Sequence, residues 1–103
     1  MLEFVEQAAE FPNGTTALMK WLSENVNYPA YAREVNIKGR VVVKFVVEKD
    51  GRIGDVKILK GVHDLLDNEA IRVVKKMPTW NAGKQGGKAV RCYFTLPIKF
   101  TLE

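Results

Sequence analysis

The stretch KAVRCYFTLPIKFTL, residues 88 to 102, alternates apolar and polar positions and carries Pro97 in its middle. A period of two places alternate side chains on opposite faces of a β-strand, so this stretch reads as one strand with a core side and a wet side. Val90, Cys92, Phe94, Leu96, Ile98 and Phe100 make the core side. Proline has no N–H to give a neighbour, so Pro97 either ends the pairing or marks a side of the strand where no partner strand sits. In a strand the N–H and C=O of one residue point to the same side and successive residues alternate. Pro97 shares parity with Arg91, Tyr93 and Thr95, so an outward Pro97 implies that those three offer their backbone to an incoming chain.

The run Arg40-Val41-Val42-Val43-Lys44-Phe45-Val46-Val47-Glu48 is the most β-like in the chain. Val41, Val43, Phe45 and Val47 form one face, and Val42 with Val46 makes the other partly apolar, which suits a central strand. Lys49-Asp50-Gly51 turns the chain, and residues 52 to 60 return as the second arm of a hairpin.

Helical spacing of Leu18, Met19, Trp21, Leu22 and Val26 predicts an amphipathic helix from Thr15 to Val26, with Thr15 or Thr16 as its N-cap. Asn27-Tyr28-Pro29 breaks it, and Pro29 suits the first turn of a short helix to Val35. Leu66, Ala70, Val73, Val74 and Met77 mark a further helix, capped by Asp64 or Asp67 and closed by Pro78, with Trp80 anchoring the exit. Asn81 to Lys88, with three glycines, reads as a flexible connection.

This order predicts an α+β, two-layer fold: a small antiparallel sheet of about three main strands with helices packed on one face. The helical crossover carries the last strand to the side of the central strand opposite the hairpin arm, which makes it an edge. A chain of 103 residues, 47% hydrophobic, fits a single domain over residues 1–103, with 1–14 as an N-terminal arm or short strand and 15–102 as the core.

No stretch approaches the ~18 apolar residues of a membrane span. The start, Met1-Leu2-Glu3-Phe4-Val5-Glu6, is acidic where a signal peptide would be basic. The single cysteine, Cys92, excludes an internal disulfide and any multi-cysteine metal site, and its place on the core side predicts a buried thiol. The net charge of +4 is spread along the chain, with local concentrations only at Lys75-Lys76 and from Lys84 to Arg91.

Catalytic and cofactor chemistry finds little to stand on. The only histidine gives His63-Asp64, and adjacent residues rarely aim at a common point, so His63 reads as a surface or capping residue. No carboxylate or histidine cluster has metal-ligand spacing. Gly83-Lys84-Gln85-Gly86-Gly87-Lys88 lacks the Ser or Thr and the following helix that a phosphate loop needs. The chain therefore reads as a non-enzyme without a cofactor. RNA binding on the open sheet face would rest on Tyr93 alone, without the glycine-aromatic signature of RNA-recognition sheets.

An ordered set of short motifs carries a family resemblance. Glu10-Phe11-Pro12-Asn13-Gly14, Leu22-Ser23-Glu24-Asn25, Tyr28-Pro29, Gly39-Arg40-Val41, Phe45-Val46-Val47, Asp50-Gly51 and Leu66-Asp67-Asn68-Glu69-Ala70 come first. Met77-Pro78-Thr79-Trp80, Gly83-Lys84-Gln85, Gly87-Lys88 and Pro97-Ile98-Lys99-Phe100 follow. Together they resemble the C-terminal domain of TonB energy transducers, in its Bacteroidetes-type branch, over roughly residues 8 to 102. Asn13, Ala82 and Tyr31 depart from the pattern, standing where Gly, Pro and Arg are found in other members.

The resemblance implies a periplasmic domain, tethered to the inner membrane through a helix and linker that precede it and worked by a proton-driven ExbB/ExbD-type motor. On that reading the chain is excised from a longer protein, and Met1 and Leu102-Glu103 are remnants. It also implies that the TonB box of outer-membrane TonB-dependent transporters adds as a strand to the edge of the last strand. Arg91, Cys92, Tyr93, Phe94, Thr95 and Pro97 are the expected peptide-binding residues there. Tyr28 and Pro29 carry over from the family's Tyr-Pro motif. Nucleic acid is not an expected partner, and a homodimer through the same edge is possible.

Overall fold

In the computed structural model, residues 5–102 are described; Met1 to Phe4, the start of the expected arm, and Glu103 lie outside them. Strand β1, Gly39–Val47, takes the central place that suits its one apolar and one partly apolar face. It pairs antiparallel with β2, Ile53–Lys60, on one side and with β5, Cys92–Phe100, on the other. The strand order is β2-β1-β5. The β1–β5 register is continuous and joins Val41 to Ile98, Val43 to Leu96, Phe45 to Phe94 and Val47 to Cys92, so that like faces meet. β2 is irregular, with register shifts between Val42 and Val43 and between Lys44 and Val46; Asp55, at φ 47, sits in the second.

Helix α1 spans Gly14–Asn25, one residue ahead of the expected start at Thr15. Neither Thr15 nor Thr16 caps it; Asn13 takes the cap position at φ 69, in the left-handed region that asparagine tolerates, and makes no side-chain cap bond. Helix α2, Ala30–Glu34, follows with Pro29 as its cap. Helix α3, Asp64–Lys75, is capped by His63 and by neither Asp64 nor Asp67: extended at φ −160, His63 accepts the Leu65 N–H at Nδ1, 3.1 Å away. Asp67 instead accepts the Val62 N–H of the entering loop at 3.0 Å.

The expected flexible connection from Asn81 to Lys88 is a hairpin. β3, Gly83–Gln85, pairs with β4, Lys88–Val90, through Gly86 and Gly87 at φ 57 and 76, the positive pair that a two-residue hairpin turn requires. β4 and β5 are separate strands, interrupted at Arg91, where a single strand from 88 was expected. The N-terminal arm is ordered against this hairpin: Gln7 exchanges backbone hydrogen bonds with Lys84, and Glu10 with Asn81.

The core gathers around Trp80. Phe11 from the arm, Phe45 from β1 and Phe94 from β5 meet its ring at 5.7, 5.5 and 4.8 Å between centroids, all steeply inclined. Such edge-to-face geometry aligns positive ring edges with negative faces. Gly51, at φ 88, passes so close beneath that a Cβ would lie 2.0 Å from the Trp80 carbonyl oxygen, which explains glycine in that turn.

Among the described residues one charged group is buried. Glu69 of α3, 9% exposed, accepts from Arg72 Nε and Nη2, both at 2.6 Å, and from the Asn27 N–H at 2.6 Å. Arg72 also donates to the Asn25 carbonyl, so the pair locks α3 to the end of α1. Burial pushes the Glu69 carboxyl up, but the hydrogen bonds from Arg72 and Asn27 and the nearby Arg72 and Lys76 charges outweigh it and hold the pKa below its ordinary 4.5. A depressed carboxylate contributes stability above its unfolded pKa and loses it as the pH falls from 4.5 through the lowered folded value. Glu69→Gln is therefore expected to cost about 1–3 kcal/mol at neutral pH. In urea melts it should lose less stability than the parent chain between pH 6 and pH 3.

Candidate functional site

The outer edge of β5 is the feature to which the fold leads. The Glu48 N–H donates to the Arg52 carbonyl across the β1–β2 turn at 2.8 Å, so even-numbered β1 residues turn their backbone toward β2. Odd-numbered β1 residues then face β5, where the register pairs them with Cys92, Phe94, Leu96 and Ile98. Tyr93, Thr95, Pro97 and Lys99 accordingly direct their backbone away from the sheet. No strand pairs with β5 on that side among the described residues. Pro97 sits where its missing N–H costs the sheet no ladder bond.

Two features border this edge on the helix side. Beside its first half the arm residues Val5, Ala8 and Ala9 stand across a cleft of about 400 Å³ from Tyr93 and Thr95. Beside its second half a groove of about 500 Å³ runs between α1 and β5, lined by Met19, Leu22, Val26 and Tyr28 against Pro97 and Phe100. Met19 is 48% exposed, because Leu18 and Leu22 fill the buried side of α1.

The site residues expected from sequence fall into distinct places. Tyr93, Thr95 and Pro97 lie on the open edge. Cys92 and Phe94 turn inward: the Cys92 thiol is buried near Gly83, and the Phe94 ring packs on Trp80. Arg91 lies at the break before β5, its guanidinium on Glu48 at 2.5 Å and near Asp55 at 3.7 Å, and the Glu48 hydrogen bond raises its pKa further.

Tyr28 forms a wall of the groove, held by a hydrogen bond from its hydroxyl to the Ile37 carbonyl, an edge-to-face contact with Phe100 at 5.7 Å and Arg33 above its ring at 5.1 Å. Pro29 lies outside the groove lining and starts α2, its carbonyl accepting the Arg33 N–H at 3.0 Å. Sequence reasoning missed Met19, Val26, Arg40 and Lys99 as site residues. A long apolar side chain such as Met19 next to two better-buried leucines was the available signal.

Among the described residues no group of His, Cys, Asp or Glu could hold a metal ion, and no helix is long and apolar enough to cross a membrane. Residues 24–102 match the family model described as Gram-negative bacterial TonB protein C-terminal. Protein TonB of Pseudomonas aeruginosa is 32% identical over 74% of this chain, and Protein TonB of Salmonella typhimurium 33% identical over 86%. The chain spans only 22% and 36% of the length of those relatives. Two NMR solution structures of Helicobacter pylori TonB-CTD share the fold. Their TM-scores are 0.61 and 0.64 at 24% and 22% identity, covering 84% and 85% of this chain and 90% and 79% of theirs.

Proposed function

The chain belongs to the TonB C-terminal family, and from that premise we propose that it is the periplasmic domain of a TonB-like energy transducer that captures a transporter segment on the open edge of β5. TonB-family proteins are transducers and not enzymes, in keeping with a site built from backbone groups. The observation that carries the reading is the outward backbone of Tyr93, Thr95, Pro97 and Lys99 on an unpaired edge next to an apolar groove. The captured segment is the TonB box near the N terminus of an outer-membrane TonB-dependent transporter. The driving force comes from an ExbB/ExbD-type motor acting through a membrane-anchored region that precedes this domain.

Tyr93, Thr95 and Lys99 offer both backbone groups and Pro97 only its carbonyl, so the new ladder weakens at Pro97. Roughly five bonds at about 1 kcal/mol each, with apolar burial in the groove, must exceed an association cost of at least ~4 kcal/mol. A micromolar complex, about −8 kcal/mol, is the expected balance, and it suits a transducer that releases its partner after each pull. Force along the strand direction loads several ladder bonds together.

Titrating labelled N-terminal peptides of outer-membrane transporters into the 103-residue chain tests this reading. Saturable binding in the micromolar range is expected. No binding at several hundred micromolar, with tight salt-sensitive binding to RNA instead, would overturn it.

A further inference from the structure

The sheet face turned away from the helices is crowded with cations. The register sets Arg40 directly opposite Lys99 on β1 and β5; Lys44, opposite Lys57, lies over the Tyr93 ring, 4.2 Å from its centroid. Like charges directly opposite one another destabilise a sheet. Neither Arg40 nor Lys99 is ion-paired to a carboxylate among the described residues; Glu48 and Asp55, at the far end of the sheet, are engaged by Arg91. On the helix side of the same edge the surface is apolar, formed by Met19, Leu22, Val26 and Tyr28. Arg40 and Lys99 also border that groove, so the two surfaces meet along the outer edge of β5.

A strand added there alternates its side chains between the two surfaces. Resting on the capture reading above, we propose that this domain selects peptides in which apolar and acidic residues alternate. The apolar set fills the groove against Met19, Leu22 and Val26. The carboxylates lie on the open face beside Arg40 and Lys99, where they relieve the repulsion that the free sheet carries. A bound peptide thus supplies the counter-charge that Arg40 and Lys99 lack, and selectivity resides in parity as well as composition. The same residues shifted by one position would bring carboxylates into the groove and valines onto the cationic face.

The test uses three labelled peptides about nine residues long, with valine at alternate positions and Glu, Gln or Lys between them. Against the 103-residue chain, anisotropy titrations should rank them Glu, Gln, Lys from tightest to weakest, with affinity for the Glu peptide alone falling as salt is raised. Lys99→Glu should weaken the Glu peptide about fivefold and strengthen the Lys peptide by a similar factor, the scale of one exposed ion pair made or reversed. The same variant should melt higher than the parent, because Arg40 gains a carboxylate opposite it.

Equal affinities for the three peptides on both proteins would overturn the charge selection and leave strand capture standing. Binding of the Glu peptide that Thr95→Pro does not weaken would show anion binding without strand addition, which also overturns it. Failure of these peptides and of transporter-derived peptides alike would overturn the capture reading itself, and this inference with it.

Discussion

Thr95→Pro is expected to abolish peptide capture, by more than tenfold in affinity, while the domain stays folded. Thr95 pairs with Lys44 in the register, yet the alternation set by the Glu48–Arg52 hydrogen bond turns its own N–H outward. The free sheet therefore loses no ladder bond, whereas an added strand loses a donor and meets a ring in its path. Thr95 is exposed, so the ring displaces no core atoms. Leu96→Pro is the matching control: Leu96 is buried opposite Val43, and its N–H faces β1, so this variant should fail to fold. Circular dichroism melts and peptide titrations on both variants check the pair. Unfolding by Thr95→Pro would mean that its N–H faces inward.

Among side-chain truncations, the largest stability effect is expected at Trp80. Its ring, 3% exposed, holds together Phe11 of the arm, Phe45 of β1 and Phe94 of β5. Truncation to alanine leaves a cavity among three aromatic rings and should cost about 3–5 kcal/mol. For a domain of this size that corresponds to a drop in Tm of roughly 15–30 °C. Trp80→Phe should cost far less: the buried indole Nε1 has no hydrogen-bond partner, so the smaller ring forfeits volume and no polar contact. Because Phe11 loses its neighbour, Trp80→Ala should also loosen the arm, read as faster amide exchange at Gln7 and Glu10, whose N–H groups bond Lys84 and Asn81. Urea melts of the two variants measure the difference directly.

The parts of this architecture that the sequence expresses are those where burial dictates residue type. β1 is apolar on the face covered by the helices and partly apolar on the other, as suits a strand flanked on both edges, and that pattern is visible without coordinates. β5 announces its edge position through Pro97, and Met77, Pro78 and Trp80 mark the exit from α3. The β3–β4 hairpin was not legible because Lys84, Gln85, Lys88 and Ala89 bury almost nothing; two glycines in a polar stretch suit a loop equally well. His63 reads in sequence as a surface or capping residue, but the cap of α3 reads as Asp64 or Asp67 because aspartate is among the preferred capping residues, and only the extended backbone of His63 brings its Nδ1 over the first turn.

The candidate site divides along the same line. Tyr93, Thr95 and Pro97 were reached through strand parity, which sequence preserves. The groove residues Met19 and Val26 were read as core, because a helix pattern reports which side chains are apolar and not which of them the neighbouring strands leave uncovered. The Arg40–Lys99 opposition required the register: positions far apart in sequence become cross-strand neighbours only when one pairing is fixed. Tyr28 came from a family motif, and its role in the free fold, tying the α1–α2 connection to Ile37 and Phe100, is a matter of tertiary contact alone.

The central claim is that the outward backbone of β5 receives a peptide as a new strand, and residue-resolved amide exchange, without and with a saturating transporter-derived peptide, tests it most directly. In the free domain Phe94, Leu96 and Ile98 should be protected by β1, while Tyr93, Thr95 and Lys99 exchange fast. With peptide bound, Tyr93 and Thr95, and beyond Pro97 also Lys99, should become protected. Fast exchange at Tyr93 and Thr95 in the saturated complex would contradict the account.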